Sequence, residues 1–159
     1  MNSVSLEIIV PVFNEGEKVV KLMKNFELHV RTNFRVLFCY DDASDNIFDY
    51  KNELSKFKFE IIFIKNVGKG PLSAIKEGFR NGNSDCVIVY PADDFLNFGI
   101  LDTMYQKFLD GSQIVVASRF IKGGSMNNCP LIKSILVRVA SYTLYYLSSI
   151  PVKDASNGF

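Results

Sequence analysis

Short apolar runs alternate with segments of helical periodicity along this chain, and that alternation leaves few folds open to it. Residues 6–13, 34–40, 59–64, 85–90 and 113–118 have strand length and strand composition. Between them, 15–30 carries Val19, Leu22, Met23, Phe26 and Val30 at helical spacing. Residues 70–82 place Leu72, Ile75 and Phe79 on one face, and 98–109 do so with Leu101, Met104, Tyr105 and Phe108. A short helix is expected over 47–57 and a final one over 130–149, with proline at its start. Strand and helix in turn mean βαβ units and a mainly parallel sheet. The strands are apolar on both faces rather than alternating, so helices must cover both sides. The expectation is an α/β fold, an α/β/α sandwich. With 159 residues and no linker, repeat or low-complexity tract, one domain is expected over 1–159.

Two of these strands run into acidic pairs. The second ends at Asp41-Asp42, and the fourth reaches Asp93-Asp94 through Pro91-Ala92. In an open parallel sheet the loops after the strands line one crevice, where such folds bind ligands. Four carboxylates at one rim do not serve packing, because unpaired acids resist burial and repel one another. They suit a divalent cation with a polar, phosphate-bearing ligand. Turn chemistry explains part of Asp41-Asp42-Ala43-Ser44-Asp45-Asn46, since Asp, Ser and Asn all favour turns. It does not require two acids at the strand end.

Other features narrow the choice. The net charge of +1 gives no field for nucleic acid or for an anionic surface as a whole. Three cysteines lack metal-like spacing, and Cys39 and Cys86 lie in apolar runs, as buried thiols of a reducing cytoplasm do. The chain enters a strand almost at once, so no signal peptide is expected. No run reaches the roughly 18 apolar residues of a membrane span. The loop after the first strand, Asn14-Glu15-Gly16-Glu17, lacks the dinucleotide glycines, and Gly68-Lys69-Gly70 is no P-loop. The single histidine, His29, gives no catalytic pair. Asn66-Val67-Gly68-Lys69-Gly70 reads either as a helix start or as a phosphate loop with Lys69 as counter-charge. Arg119, at the end of the fifth strand, is a candidate for an anion, and Lys122, Lys133 and Arg138 follow it.

Taken in order, these segments resemble a family-two glycosyltransferase of GT-A fold, nearest to the dolichol-phosphate mannosyltransferase and polyprenyl-phosphate glycosyltransferase group. Ile8-Ile9-Val10-Pro11-Val12-Phe13-Asn14-Glu15 resembles the opening V-P-x-[YF]-N-E, and Asp41-Asp42-Ala43-Ser44-Asp45 the D-D-x-S-x-D loop. Asn66–Gly70 resembles N-x-G-x-G. Val116-Ala117-Ser118-Arg119-Phe120 with Gly123-Gly124 resembles G-[ST]-R-[YF] and its glycines. Pro130-Leu131-Ile132-Lys133 and Arg138 fall where the group carries basic residues. Residues 154–159 resemble D-x-[ST]-x-[GS]-F. The D-x-D motif is altered, because Pro91 stands where its first acid would be. The chain stops inside the last motif, so a fragment truncated at its C-terminal end is expected.

The resemblance implies an inverting transfer of sugar from a UDP- or GDP-sugar to an acceptor, most readily a polyprenyl or dolichyl phosphate, in cell-envelope glycan synthesis. Pro11, Phe13, Glu15, Asp41, Asp42, Lys69 and Asp93 would bind the nucleotide sugar. Asp93 and Asp94 would hold Mg2+ or Mn2+, and with Arg119 would form the catalytic set. Arg119, Lys133 and Arg138 would take the acceptor phosphate, which is already anionic and needs no general base. A hydroxyl acceptor would need one, with Asp94 or Asp154 as candidates. The final helix reads two ways. Its apolar residues Ile132, Ile135, Leu136, Val139, Tyr142 and Tyr146 either pack on the sheet or lie on a membrane surface, with Ser134, Arg138 and Ser141 on the other side. The expected location is the cytoplasm, at the inner face of a membrane. Two other classes share parts of the pattern: a non-catalytic sugar-nucleotide-binding regulatory subunit, which Pro91 keeps open, and a receiver-like Mg-binding signalling domain. The second fits less well, because the acid pair follows strand two and strand five ends in Ser118-Arg119 without a lysine.

Overall fold

The computed structural model describes residues 5–126, 129–148 and 150–154. Contacts gather into two compact units, Met1–Gln106 and Lys107–Phe159, and each is taken in turn.

The first unit holds a parallel sheet of four strands in the order β3-β2-β1-β4: β1 (Leu6–Val12), β2 (Phe34–Tyr40), β3 (Ile61–Lys65) and β4 (Val87–Val89). The register sets Leu6 beside Phe34 and Val12 beside Tyr40. Alternation of side chains makes two faces. On one, Ile9, Leu37, Cys39 and Ile64 form a core with Ala74 of α3 (Pro71–Asn81). On the other, the rings of Phe38 and Phe48 each pack at a tilt against Phe63. Phe26 of α1 (Gly16–His29) meets Phe34 and Tyr90 edge to face. The sheet is therefore covered on both sides, as the apolar strands require. Full burial of a side chain such as Phe26 is worth about 1.5–3 kcal/mol.

The elements depart from the sequence pattern in three places. The 47–57 segment is a 3-10 turn, Asn46–Tyr50, running into one turn of helix, α2 (Lys51–Leu54). Likewise 98–109 begins as a 3-10 turn, Phe98–Ile100, before α4 (Leu101–Leu109). Residues 113–118 form no strand: the backbone there joins no ladder among the described residues, and Ile114 is exposed. Val115-Val116 favour an extended chain, but a strand exists only where a neighbour accepts its hydrogen bonds.

The opposite edge of the sheet from the strand ends is closed by Glu7. Its fully buried carboxylate pairs with Arg35 and accepts from the Asn83 N–H at 3.1 Å. The second unit contains α5 (Leu131–Leu147). Ser149, where the final helix was expected to end, and residues 155–159 of the last motif lie outside the described residues.

Candidate active site

Strand order decides where a ligand can sit. The chain builds outward from β1 to β2 to β3, then returns through α3 to place β4 on the far side of β1. The loops leaving β1 and β4 therefore diverge and open a crevice at the carboxyl edge, the position at which doubly wound sheets bind ligands. A cleft of about 510 Å3 lies there. Pro11, Val12, Phe13 and Glu15 line it from β1, and Pro91, Ala92 and Asp93 from β4. Asp41 comes from β2, and Gly70, Pro71 and Ala74 from the start of α3. Of the expected nucleotide-site residues, Pro11, Phe13, Glu15, Asp41 and Asp93 are brought together, while Asp42 and Lys69 are not among the lining residues.

The loop after β1 is fixed by the loop after β2. Asn14 adopts a left-handed backbone, φ 56°, which asparagine tolerates better than most residues. Its N–H donates to Asp45 Oδ2 at 2.9 Å, and the Gly16 N–H donates to Asn46 Oδ1 at 2.9 Å. Buried Asp45 also caps the following turn through the Ile47 N–H. This presents Phe13 at the cleft with 69% of its surface exposed. Glu15 carries Lys18 at 2.6 Å, and that pairing, with Asp93 adding less, raises the Lys18 ammonium pKa.

Asp41 and Asp42 have separate tasks. Asp41 accepts from Asn66 Nδ2 at 2.6 Å and from the Gly70 N–H at 3.0 Å. Buried Asn66 in turn accepts from the Gly68 N–H and from Ser73 Oγ. The 66–70 loop is thus locked under the cleft, and Gly70, φ 79°, occupies a backbone region that favours glycine. Lys69 is exposed beside it. Asp42 is exposed and closes its own turn, accepting from the Ser44 N–H at 2.8 Å. That bond holds its carboxyl below the usual range.

Asp93 and Asp94 divide in the same way. Asp94 Oδ1 accepts from the Leu96 N–H at 2.8 Å and the Asn97 N–H at 3.0 Å, and Oδ2 from Asn97 Nδ2 at 2.5 Å. Asp93 is exposed and lines the cleft. Tyr90, buried beneath this loop, has its hydroxyl pKa raised by burial and then by the nearby Asp94 charge. Among the described residues no three His, Cys, Asp or Glu side chains gather where they could share a metal ion. The donor set therefore fits a cation that brings most of its ligands with it, as Mg2+ does with phosphates and water. It does not fit a cage made by protein alone.

In the second unit, Arg119 is clamped by Asp154. The Arg119 N–H and Nε donate to Oδ2 at 2.8 and 3.1 Å, and Nη2 donates to Oδ1 at 2.6 Å. Asp154 is 1% exposed. Its hydrogen bonds raise the guanidinium pKa against the opposing effect of burial. Phe120 has the Arg119 guanidinium 5.5 Å and the Arg138 guanidinium 4.9 Å from its ring centroid, so one ring gathers both cations. Lys133 is exposed on α5. That helix buries Ser141 and leaves Ile132, Ile135, Leu136, Val139, Tyr142 and Tyr146 exposed by 38 to 75%.

Residues 7–156 match the profile described as Glycosyl transferase family 2. The chain belongs to that family. It is 26% identical to a dolichol-phosphate mannosyltransferase of Pyrococcus furiosus, over 97% of this chain and 45% of that protein. A Methanococcus voltae enzyme, dolichyl N-acetyl-alpha-D-glucosaminyl phosphate 3-beta-D-2,3-diacetamido-2,3-dideoxy-beta-D-glucuronosyltransferase, is 33% identical over 63% of this chain and 33% of its own length. The chain thus spans less than half of these curated relatives. Among solved structures, glucosyl-3-phosphoglycerate synthase from Mycobacterium tuberculosis, crystallised with Mn2+, UDP and glucosyl-3-phosphoglycerate, superposes with a TM-score of 0.52. The two are 10% identical, and the match covers 67% of this chain and 40% of that one. The fold is GT-A.

The sequence pattern singled out the acids but not the residues that hold them. Asp45, Asn46 and Asn66 are absent from the expected site, yet they fix the first three loops. Their signal was present as turn and cap chemistry, an Asp or Asn placed just before a helical turn.

Proposed function

We propose that the cleft binds the nucleoside diphosphate of an activated sugar, and that the family-two domain transfers the sugar with inversion to a polyprenyl or dolichyl phosphate. The observation that carries this reading is the cleft at the β1/β4 switch point, apolar at Phe13 and acidic at Asp41 and Asp93. Phe13 offers an exposed ring on which a base can lie. Asp41, held by Asn66 and Gly70, accepts only, so it selects a donor group of the base or ribose. Glu15 borders the same space, and Lys69 supplies a positive charge next to the α3 start. A divalent cation, when bound, neutralises charge on the diphosphate as it leaves. On this reading Asp93, which lines the cleft, would hold it.

For the acceptor, the reading assigns Arg119, Lys133 and Arg138 to a phosphate. An acceptor oxygen attacks the anomeric carbon as the bond to the diphosphate breaks, and the anionic phosphate needs no base. From Lys107 onward the chain has six cations (Lys107, Arg119, Lys122, Lys133, Arg138 and Lys153) against Asp110 and Asp154, a net of +4. With the exposed apolar side of α5, this supports a place at the cytoplasmic face of an anionic membrane. Among the described residues no helix is long and apolar enough to cross a bilayer.

The test is thermal unfolding with UDP, GDP and ADP, each with and without Mn2+. One of the diphosphates is expected to raise Tm. A ligand at 100 times its Kd stabilises by about 2.7 kcal/mol. No shift from any of them overturns the donor-site reading.

A further inference from the structure

Helix α3 meets the sheet through its small residues, not its large ones. Ala74 packs on the core beneath it, and Gly78 lies so close to β1 that an added methyl would stand 2.7 Å from Ile9 Cγ2. That approach leaves no room for bulk on the inner side. The large apolar residues that the periodicity groups together therefore turn outward. Leu72 is 66% and Phe79 54% exposed, and Ile75 is half-buried. They follow one another at i+3 and i+4, so they form one stripe along the helix. The charge beside this stripe has one sign. Residues 61–84 hold Lys65, Lys69, Lys76 and Arg80, all exposed, against one acid, Glu77, which is buried and paired with Arg80. Over Met1–Gln106 as a whole, acids outnumber cations, so this segment is a basic patch on an acidic unit. Lys76 is one turn from both Leu72 and Phe79.

We propose that the outer side of α3 docks on an anionic bilayer, with Leu72, Ile75 and Phe79 in the headgroup boundary and Lys69, Lys76 and Arg80 at the lipid phosphates. A helix with sharply opposed faces, low overall hydrophobicity and a basic polar side is the kind that lies in the plane of a membrane interface. The contrast between faces is sharper in α3 than in α1, α4 or α5. Long cationic stems can lie along the apolar stripe while their charges stay among headgroups. A second copy of this chain would set like charge against like, which opposes pairing. Protein interfaces are depleted in lysine, and three of the four cations here are lysines, which favours lipid over an acidic protein. The proposal does not rest on the donor-site reading and uses no residue of α5.

The chain has no tryptophan, so Phe79→Trp places a single reporter on the stripe. Leu28→Trp is the control, at a residue 63% exposed on α1, which covers the other face of the sheet. Each 159-residue variant is titrated with vesicles of equal parts phosphatidylglycerol and phosphatidylcholine, and of phosphatidylcholine alone, with no nucleotide present. With the anionic vesicles the Phe79→Trp emission is expected to move to shorter wavelength and to be quenched by brominated lipid, while that of Leu28→Trp is not. Adding Lys76→Glu or Leu72→Ser to Phe79→Trp should weaken vesicle binding about tenfold. All of these positions are exposed, so the urea midpoints should stay near that of the wild type. If Phe79→Trp does not fold, Leu72→Trp takes its place, with Phe79→Ser as the second change. The proposal is overturned if the reporter on α3 responds to anionic vesicles no more than the one on α1, which would leave the stripe to an acidic protein. It is equally overturned if Lys76→Glu binds as tightly as its parent. An emission shift that follows protein concentration without lipid also overturns it, in favour of a second copy.

Discussion

Asn66 Nδ2 donates to Asp41 Oδ1 across 2.6 Å, and through that bond the loop after β3 is carried by the end of β2. The same amide reaches Gly70 O at 3.3 Å, while Asn66 Oδ1 accepts from Gly68 and Ser73. One side chain, 3% exposed, therefore holds the floor of the cleft.

Asn66→Ala should lower stability by about 2–3 kcal/mol, because it leaves buried partners unsatisfied. It should also shrink any nucleotide-induced rise in Tm. Urea unfolding at pH 7 measures the first and thermal unfolding with ligand the second. Asn66→Asp sets a second carboxylate against Asp41 and should also lower stability at pH 7. An Asn66→Ala variant as stable as the wild type would mean that the loop is held by other groups.

Asp102 caps the turn between α1 and β2. It accepts from the Arg31 N–H, the Thr32 N–H and Thr32 Oγ1. Burial pushes its carboxyl pKa up, but the Thr32 and Arg31 donors outweigh this and hold it below the ordinary value. A lowered folded pKa stabilises the protein above the unfolded value of about 3.9, and that contribution fades as pH falls through the folded value. Asp102→Ala should thus cost about 1 kcal/mol at pH 7, water replacing part of the loss at this half-exposed place. The gap from wild type should hold down to about pH 5 and close below about pH 4. A gap that widened as pH fell would contradict the assignment.

Gly78 sits where α3 crosses β1. A methyl group there would lie 2.7 Å from Ile9 Cγ2, and Ile9 is wholly buried. Alanine inside a helix normally gains about 0.5–1 kcal/mol over glycine. Overpacking costs about 1–3 kcal/mol and should win. Gly78→Ala is therefore expected to lower the urea midpoint, with strong coupling to Ile9→Val in a double-mutant cycle. A higher midpoint would show that α3 can lift from the sheet at little cost.

The exposed apolar side of α5, next to Lys133 and Arg138, leads us to expect sedimentation of the chain with anionic vesicles and not with neutral ones. At about 1 kcal/mol per basic residue near such a surface, Lys133→Ala with Arg138→Ala should weaken binding about 30-fold, and added salt should do the same. Binding that is absent, or indifferent to both changes, would leave the helix to a protein partner.

Repeat and polarity along the chain were enough for the β/α order, because helix and strand periods are properties of neighbouring residues. The 34–40 run is β2 residue for residue, 70–82 encloses α3, and Pro11, Phe13, Glu15, Asp41 and Asp93 meet at the crevice that the strand order opens. Tertiary structure decided what depends on distant partners. Residues 113–118 carry strand composition but find no ladder among the described residues. Asp154 binds Arg119 across 35 positions, and Asn66 binds Asp41 across 25, with no pattern in between to announce either pair. Asp93 and Asp94 are the same residue type side by side. Only the turn at Leu96 and Asn97 makes one a cap and leaves the other facing the cleft. Sequence sets which groups a segment can offer. Which of them are already occupied is a matter of three-dimensional neighbours, since a hydrogen bond is satisfied by proximity in space and not along the chain.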